Sequence, residues 1–130
     1  MIVLDTHAWL WWVDNPERLS DAARQAIRSA DQVGVSTFSC WEVATLVERG
    51  RLELDRELRV WVRQALAHDQ AEEVTITAEI AIRAAQLDRD RFPGDPADRI
   101  IYATAEILGS PLITRDKRIA EFDSARAIWN

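Results

Sequence analysis

The N-terminal run Ile2-Val3-Leu4, closed at once by Asp5, constrains this chain more than any other stretch. It is too short for a helix core and too apolar for a surface loop, so it reads as a buried strand. The carboxylate then stands at the strand's C-terminal end. In an open parallel sheet that edge is where loops and helix N-termini converge and where ligands bind.

Strand and helix signals alternate from there on. Ala8 to Val13 is wholly apolar, carries Trp9, Trp11 and Trp12, and reads as a short buried helical turn. Asn15-Pro16 breaks the chain, and Ser20-Asp21 opens a helix to about Ala30 with Ala22, Ala23, Ala26 and Ile27 on one face. Strand Val33 to Ser36 precedes a helix from about Ser39 to Glu48, ended by Gly50. Across Arg56 to His68 the residues Leu58, Trp61, Val62, Ala65 and Leu66 recur at helical spacing. Glu73 to Ile76 reads as a strand, and Thr77 caps a helix through Leu87. Asp88 to Pro96, broken by Pro93, Gly94 and Pro96, reads as a loop. Helix Ala97 to Leu108 is apolar round most of its circumference, which makes it central. Strand Pro111 to Thr114, a short helix Asp116 to Glu121 and an edge strand Arg126 to Trp129 follow. This alternation predicts one α/β domain over residues 1–130, with helices on both faces of a mostly parallel sheet of about four to five strands, a three-layer α/β/α sandwich.

With 130 residues, 48% of them hydrophobic, the chain can bury one core. A net charge of −6 speaks against gripping nucleic acid through a general basic surface. A pocket of carboxylates loaded with divalent cations would reverse that field locally. Cys40 is the single cysteine, which excludes an internal disulfide and fits a reducing cytoplasm. The longest apolar run, Ala8 to Val13, falls far short of the ~20 residues that cross a bilayer, so neither a membrane anchor nor a secretory signal is expected.

Four carboxylates follow strands or open helices: Asp5, Glu42, Asp98 and Asp116, with Asp95 as a fifth candidate. Each has a structural use as well. Glu42 stands three residues after Ser39, the spacing of a capping box. Asp95-Pro96-Ala97-Asp98 is a strong helix start, and Asp116 opens a helix too. An alternating topology nevertheless brings all of them to one edge of the sheet. There they would repel one another unless protons or cations compensate them. Oxygen ligands without cysteines or paired histidines select Mg²⁺ or Mn²⁺ over zinc, and such ions serve phosphoryl chemistry.

Leu4-Asp5-Thr6, Ser39-Cys40-Trp41-Glu42-Val43, Asp95-Pro96-Ala97-Asp98-Arg99 and Thr114-Arg115-Asp116, in this order and spacing, resemble the PIN-domain ribonucleases. The likeness covers nearly the whole chain and is strongest to the VapC-type toxins of bacterial toxin–antitoxin pairs. It implies a PIN-like sandwich and metal-dependent hydrolysis of RNA phosphodiester bonds, with Mg²⁺ or Mn²⁺ held by Asp5, Glu42, Asp98 and Asp116. Asp5 and Asp98 would be the principal ligands, Glu42 would help deprotonate water, and Asp116 would bind metal or orient water. Asp95 would either cap its helix or extend the acidic pocket.

Around these acids, Thr6 is a candidate to hold the Asp5 carboxylate, a metal-bound water or substrate. Arg99, Arg115 and Lys117 are candidates to pair with an acid or meet RNA phosphate. His7 adjoins the pocket without an assigned role. The resemblance further implies a cytoplasmic protein, a cognate antitoxin and a homodimer. Trp41, Leu46 and Val47 with Leu58, Trp61 and Val62 would form an apolar groove for a partner helix. The rival reading is a non-enzymatic module, receiver-like or a degenerate PIN-like domain, with an acidic Mg²⁺ pocket. A receiver would want a second acid beside Asp5, which this chain lacks.

Overall fold

The computed structural model describes residues 1–92 and 94–130, so the break expected at Pro93 lies outside the described residues. β1 (Ile2–Leu4) leads into α1 (Thr6–Asp14), a 3-10 turn (Pro16–Arg18), α2 (Asp21–Ser29), β2 (Val33–Ser36), α3 (Thr37–Glu48) and α4 (Leu58–Leu66). β3 (Ala71–Val74), α5 (Ala78–Gln86), α6 (Pro96–Ile107), β4 (Leu112–Ile113), α7 (Lys117–Phe122) and β5 (Ala127–Ile128) complete it.

The five strands form one sheet in the order β3-β2-β1-β4-β5, with every pairing parallel. That order differs from the 2-1-3-4-5 arrangement of receiver-like domains, which removes the receiver reading. β1 is central and buried on both faces. Leu4 packs with Trp9, Val35, Val43 and Trp61 on one side, and Val3 with Ile101, Tyr102 and Leu112 on the other. Helices therefore cover the sheet twice, and α6, expected to be central, buries Ile101, Tyr102, Ala103, Thr104 and Ala105.

Register explains what meets at the edge. Leu4 is level with Val35 and Ile113, and Ile113 with Ile128. The next residue on each strand, Ser36, Asp5, Thr114 and Trp129, therefore stands in one row along the C-terminal edge.

Three boundaries move from the expected ones. α1 begins at Thr6 because Asp5 itself caps it. α3 is capped by Ser36, so Ser39 lies inside the helix and the capping box expected for Glu42 does not form. β3 lies two residues earlier than expected, because Ile76 packs into the layer of Ile80, Ala84 and Ala103. Gly50 and Gly109 stand where their helices end, with φ of +69° and +63°, the left-handed backbone that glycine adopts without strain.

Beneath α1, Trp9 and Trp61 meet edge-on with centroids 5.2 Å apart. The Trp61 indole N–H donates to Asp14 at 3.1 Å, whereas the buried Trp9 N–H has no acceptor. Phenylalanine at either position vacates similar volume, but only at Trp61 is a hydrogen bond lost. At Trp9 an unsatisfied donor is removed. Trp9→Phe is therefore expected to destabilise by on the order of 1 kcal/mol less than Trp61→Phe in urea unfolding.

Candidate active site

Each acid reaches the edge by a different local device. Asp5 ends β1 and caps α1, its Oδ1 accepting from the Ala8 N–H at 2.8 Å. Asp95 caps α6 through the Ala97 N–H at 2.8 Å, with Pro96 at the first helical position. Asp116 caps α7 through Arg118 at 2.8 Å and Ile119 at 3.3 Å. Asp98 sits in the first turn of α6, and Glu42 projects from α3. Three of the five are thus fastened to a helix N-terminus, where orphan N–H groups and the helix dipole stabilise negative charge.

The five carboxylates act on one another. Burial first, then Asp95, Asp116, Glu42 and Asp5 in turn, pushes the Asp98 carboxyl up to about 7. Asp98 has no compensating donor among the described hydrogen bonds. Burial also raises Asp5, opposed by the Thr114 hydroxyl, the Ala8 N–H and His7. Glu42 is raised by burial and by Asp95 and Asp5, opposed by Thr6 and His7. Among the described residues only Asp116 of these acids has an ion-pair partner, Arg118 at 3.5 Å.

The two buried threonines divide their work differently from the sequence expectation. Thr6 turns to Glu42 instead of Asp5: its hydroxyl hydrogen-bonds Glu42 Oε1 and lies 2.9 Å from Ser39 Oγ. A hydroxyl has one proton, so Thr6 donates to the carboxylate and accepts from Ser39. Thr114 takes the role at Asp5 while accepting from the Asp116 N–H at 3.1 Å. Thr114 and Ser39 are participants that reading by charge overlooks, because a threonine at a strand end carries no signal of its own. Arg99 points elsewhere, donating to the Ala84 and Leu87 carbonyls at 3.2 and 3.0 Å. It closes the end of α5 and meets neither an acid nor the pocket mouth. Arg115 and Lys117 are exposed at that mouth.

The expected apolar groove divides. Trp61 is only 1% exposed and belongs to the core. Trp41, 58% exposed, lines with Phe38, Leu46 and Arg49 a cleft of about 300 Å³ that also contains Glu42 and Asp95. Leu58 and Val62 line a separate cleft between α3 and α4, with Cys40 and Ala44.

All-carboxylate donors fit a hard divalent cation. Among the described residues no three acidic, imidazole or thiol groups already converge as a closed ion cage. The capping bonds of Asp5 and Asp95 engage Oδ1 in each case, and Asp116 turns its Oδ2 to Arg118. The chemistry the arrangement suits is activation of water beside a phosphate. No helix among the described residues is long and apolar enough to cross a membrane.

Known proteins resemble this chain over nearly its whole length. The PIN domain family matches residues 2–125. Ribonuclease VapC22 of Mycobacterium tuberculosis is 41% identical over 127 residues, 98% of this chain and 95% of that protein. Among solved structures, VapBC2 from Rickettsia felis bound to a promoter DNA fragment superposes with a TM-score of 0.71 at 13% identity, covering 100% of both chains. A toxin–antitoxin complex from Klebsiella pneumoniae gives 0.66 at 21% identity, covering 98% of this chain and 96% of that one. Matched by the PIN domain over residues 2–125 and 41% identical to a VapC ribonuclease across 98% of its length, the chain belongs to the PIN-domain family, among the VapC ribonucleases.

Proposed function

We propose that this chain is a ribonuclease that uses Mg²⁺ or Mn²⁺ to hydrolyse RNA phosphodiester bonds, as a single domain and as the toxin of a toxin–antitoxin pair. The observation that carries the reading is the Asp98 carboxyl, pushed up to about 7 by burial and four neighbouring acids, none of which is paired with lysine or arginine except Asp116. A cluster so costly is retained where a cation is to be held. The 41% identical relative is named a ribonuclease, and the structural relatives include toxin–antitoxin complexes.

Asp5 and Asp98 would be the principal ligands, with Glu42 and Asp116 beside them and Asp95 fastening α6. When bound, the ion supplies a lowered pKa to a coordinated water and positive charge against the departing oxygen. Glu42, raised by burial and steadied by Thr6, would take the proton from the attacking water. Asp116, fixed by two backbone N–H groups, would orient that water. An antitoxin segment would occupy the cleft of Trp41 and Leu46, which leads to Glu42 and Asp95, or the neighbouring cleft of Leu58 and Val62. The protein would act in the cytoplasm, as a homodimer.

Purified protein is expected to cleave RNA with Mg²⁺ or Mn²⁺, to stop in EDTA, and to lose at least about 100-fold in rate as Asp5→Asn or Asp98→Asn with unchanged circular dichroism. Cleavage by Asp98→Asn in EDTA would overturn the reading. Thr6→Val, which keeps the shape but releases Glu42, is expected to lower activity about 10- to 100-fold, with Thr6→Ser restoring most of it.

Stability should follow the same electrostatics. A carboxyl raised in the folded chain binds its proton more tightly there than in the unfolded chain. Folding stability then falls as pH rises from about 4, the unfolded value, to about 7, the folded value for Asp98. Metal-free melting temperatures should decline across that window, and Asp98→Asn should flatten the decline. Added Mg²⁺ should stabilise most at its upper end. Stability that rises from pH 4 to 7 in EDTA would contradict the coupled cluster.

A further inference from the structure

Beside the acids, the same sheet edge gathers cations on aromatic rings. Trp11, on α1 and 9% exposed, carries the Arg18 guanidinium 4.8 Å from its ring centroid and that of Arg115 at 5.5 Å. His7 lies against it at 5.8 Å and Trp129 at 5.7 Å. Among the described residues Arg18, Arg115 and Lys117 form no ion pair, as is also true of seven other arginines, while Arg24, Arg56, Arg59, Arg83, Arg118 and Arg126 are paired. Arg115 and Arg18 are instead held by cation–π contact, which leaves the guanidinium N–H groups free to donate.

Beside Arg115 opens a cleft of about 410 Å³, lined by Thr114, Arg115, Asp116, Lys117, Trp129 and Asn130. Such a volume lies within the ~300–1,000 Å³ typical of small-ligand sites. It is continuous with the acidic centre, since Thr114 supports Asp5 and Asp116 belongs to the cluster. Unpaired cations select phosphate, and a half-buried indole offers a flat face to a base. Bases within a duplex have both faces covered, so a site of this kind takes an unstacked nucleotide.

We propose that the cleft of Arg115, Lys117 and Trp129 is a subsite for one nucleotide of single-stranded RNA adjoining the bond that is cut. Its base lies against Trp129 and its phosphate meets Arg115 and Lys117. Trp11 is a positioning residue that holds Arg115 and Arg18 toward the strand. This inference rests on the ribonuclease reading and adds to it the class of RNA and the residues that select it.

The test is fluorescence anisotropy of a labelled mixed-sequence oligoribonucleotide, with Mg²⁺ present, on Asp98→Asn protein so that the probe is not consumed. Arg115→Gln combined with Lys117→Gln is expected to shrink the log–log salt slope of binding by about 1.4, two phosphate contacts at ~0.7 each. Trp129→Leu should leave the slope and cost about 5- to 150-fold in affinity, the range of one base stack. Trp11→Leu should reduce the slope, and Trp11→Phe should restore most of it, which loss of packing alone would not do. The unlabelled single strand should outcompete the same sequence as a duplex. The subsite is overturned if the exposed Arg115→Gln/Lys117→Gln protein keeps slope and affinity, or if duplex competes equally, while protein with Asp98 intact still cuts RNA; the ribonuclease reading then stands. If protein with Asp98 intact neither binds nor cuts RNA with Mg²⁺ or Mn²⁺, both fall.

Discussion

Repulsion among partly buried carboxylates is the constraint to which the rest of this molecule answers. Desolvation alone disfavours each charge, and four neighbours compound it at Asp98. A fold can carry that burden only if the elements presenting the acids are independently stable. β1 supplies the stability: Ile2, Val3 and Leu4 are at most 3% exposed, and between them they touch both apolar layers. Fully burying three aliphatic side chains is worth roughly 1.5–3 kcal/mol apiece before chain entropy is counted. The acid at the end of the strand is thus borne by a deeply packed segment of the chain.

The helices moderate the repulsion without cancelling it. Asp5, Asp95 and Asp116 each accept backbone N–H groups at a helix start, so capping, usually a means of ending a helix cleanly, here also stabilises charge. Asp98 and Glu42 lack that support. Glu42 depends on a single hydroxyl, that of Thr6, and Asp98 on none among the described hydrogen bonds. The two acids with the least neutral stabilisation are those for which a cation would change most.

Much of this was legible in the residue pattern because the pattern was physical. A β-branched run ending in acid, the Asp95-Pro96 helix start, glycines at helix ends and strand–helix alternation each follow from local chemistry, and the structure keeps them. What stayed hidden depended on three-dimensional neighbours. Ser39 and Glu42 have capping-box spacing, but Ser36 lies at the end of a buried strand and takes the cap, which frees Glu42 to meet Thr6. Arg99 follows an acid in sequence yet lies on the α5 side of its helix, where open carbonyls await a donor. Trp61 keeps helical spacing with the partly buried Leu58 and Val62, and nothing local says that Trp9 will cover it. Spacing reports the face of a helix; only packing reports what stands opposite.

Net charge is the last place where a global number misleads. At −6 the chain should avoid polyanions. Five of its acids, however, are concentrated where a divalent ion would neutralise them, and Arg115 and Lys117 share a cleft with Asp116 of that cluster, Arg115 lying with Arg18 on one indole. At separations within the ~8 Å over which charge is felt at physiological salt, an approaching phosphate meets these local groups and not the sum over the surface. An acidic protein can therefore present a receptive edge to a polyanion, provided its positive groups are held by aromatic faces instead of by the carboxylates that outnumber them.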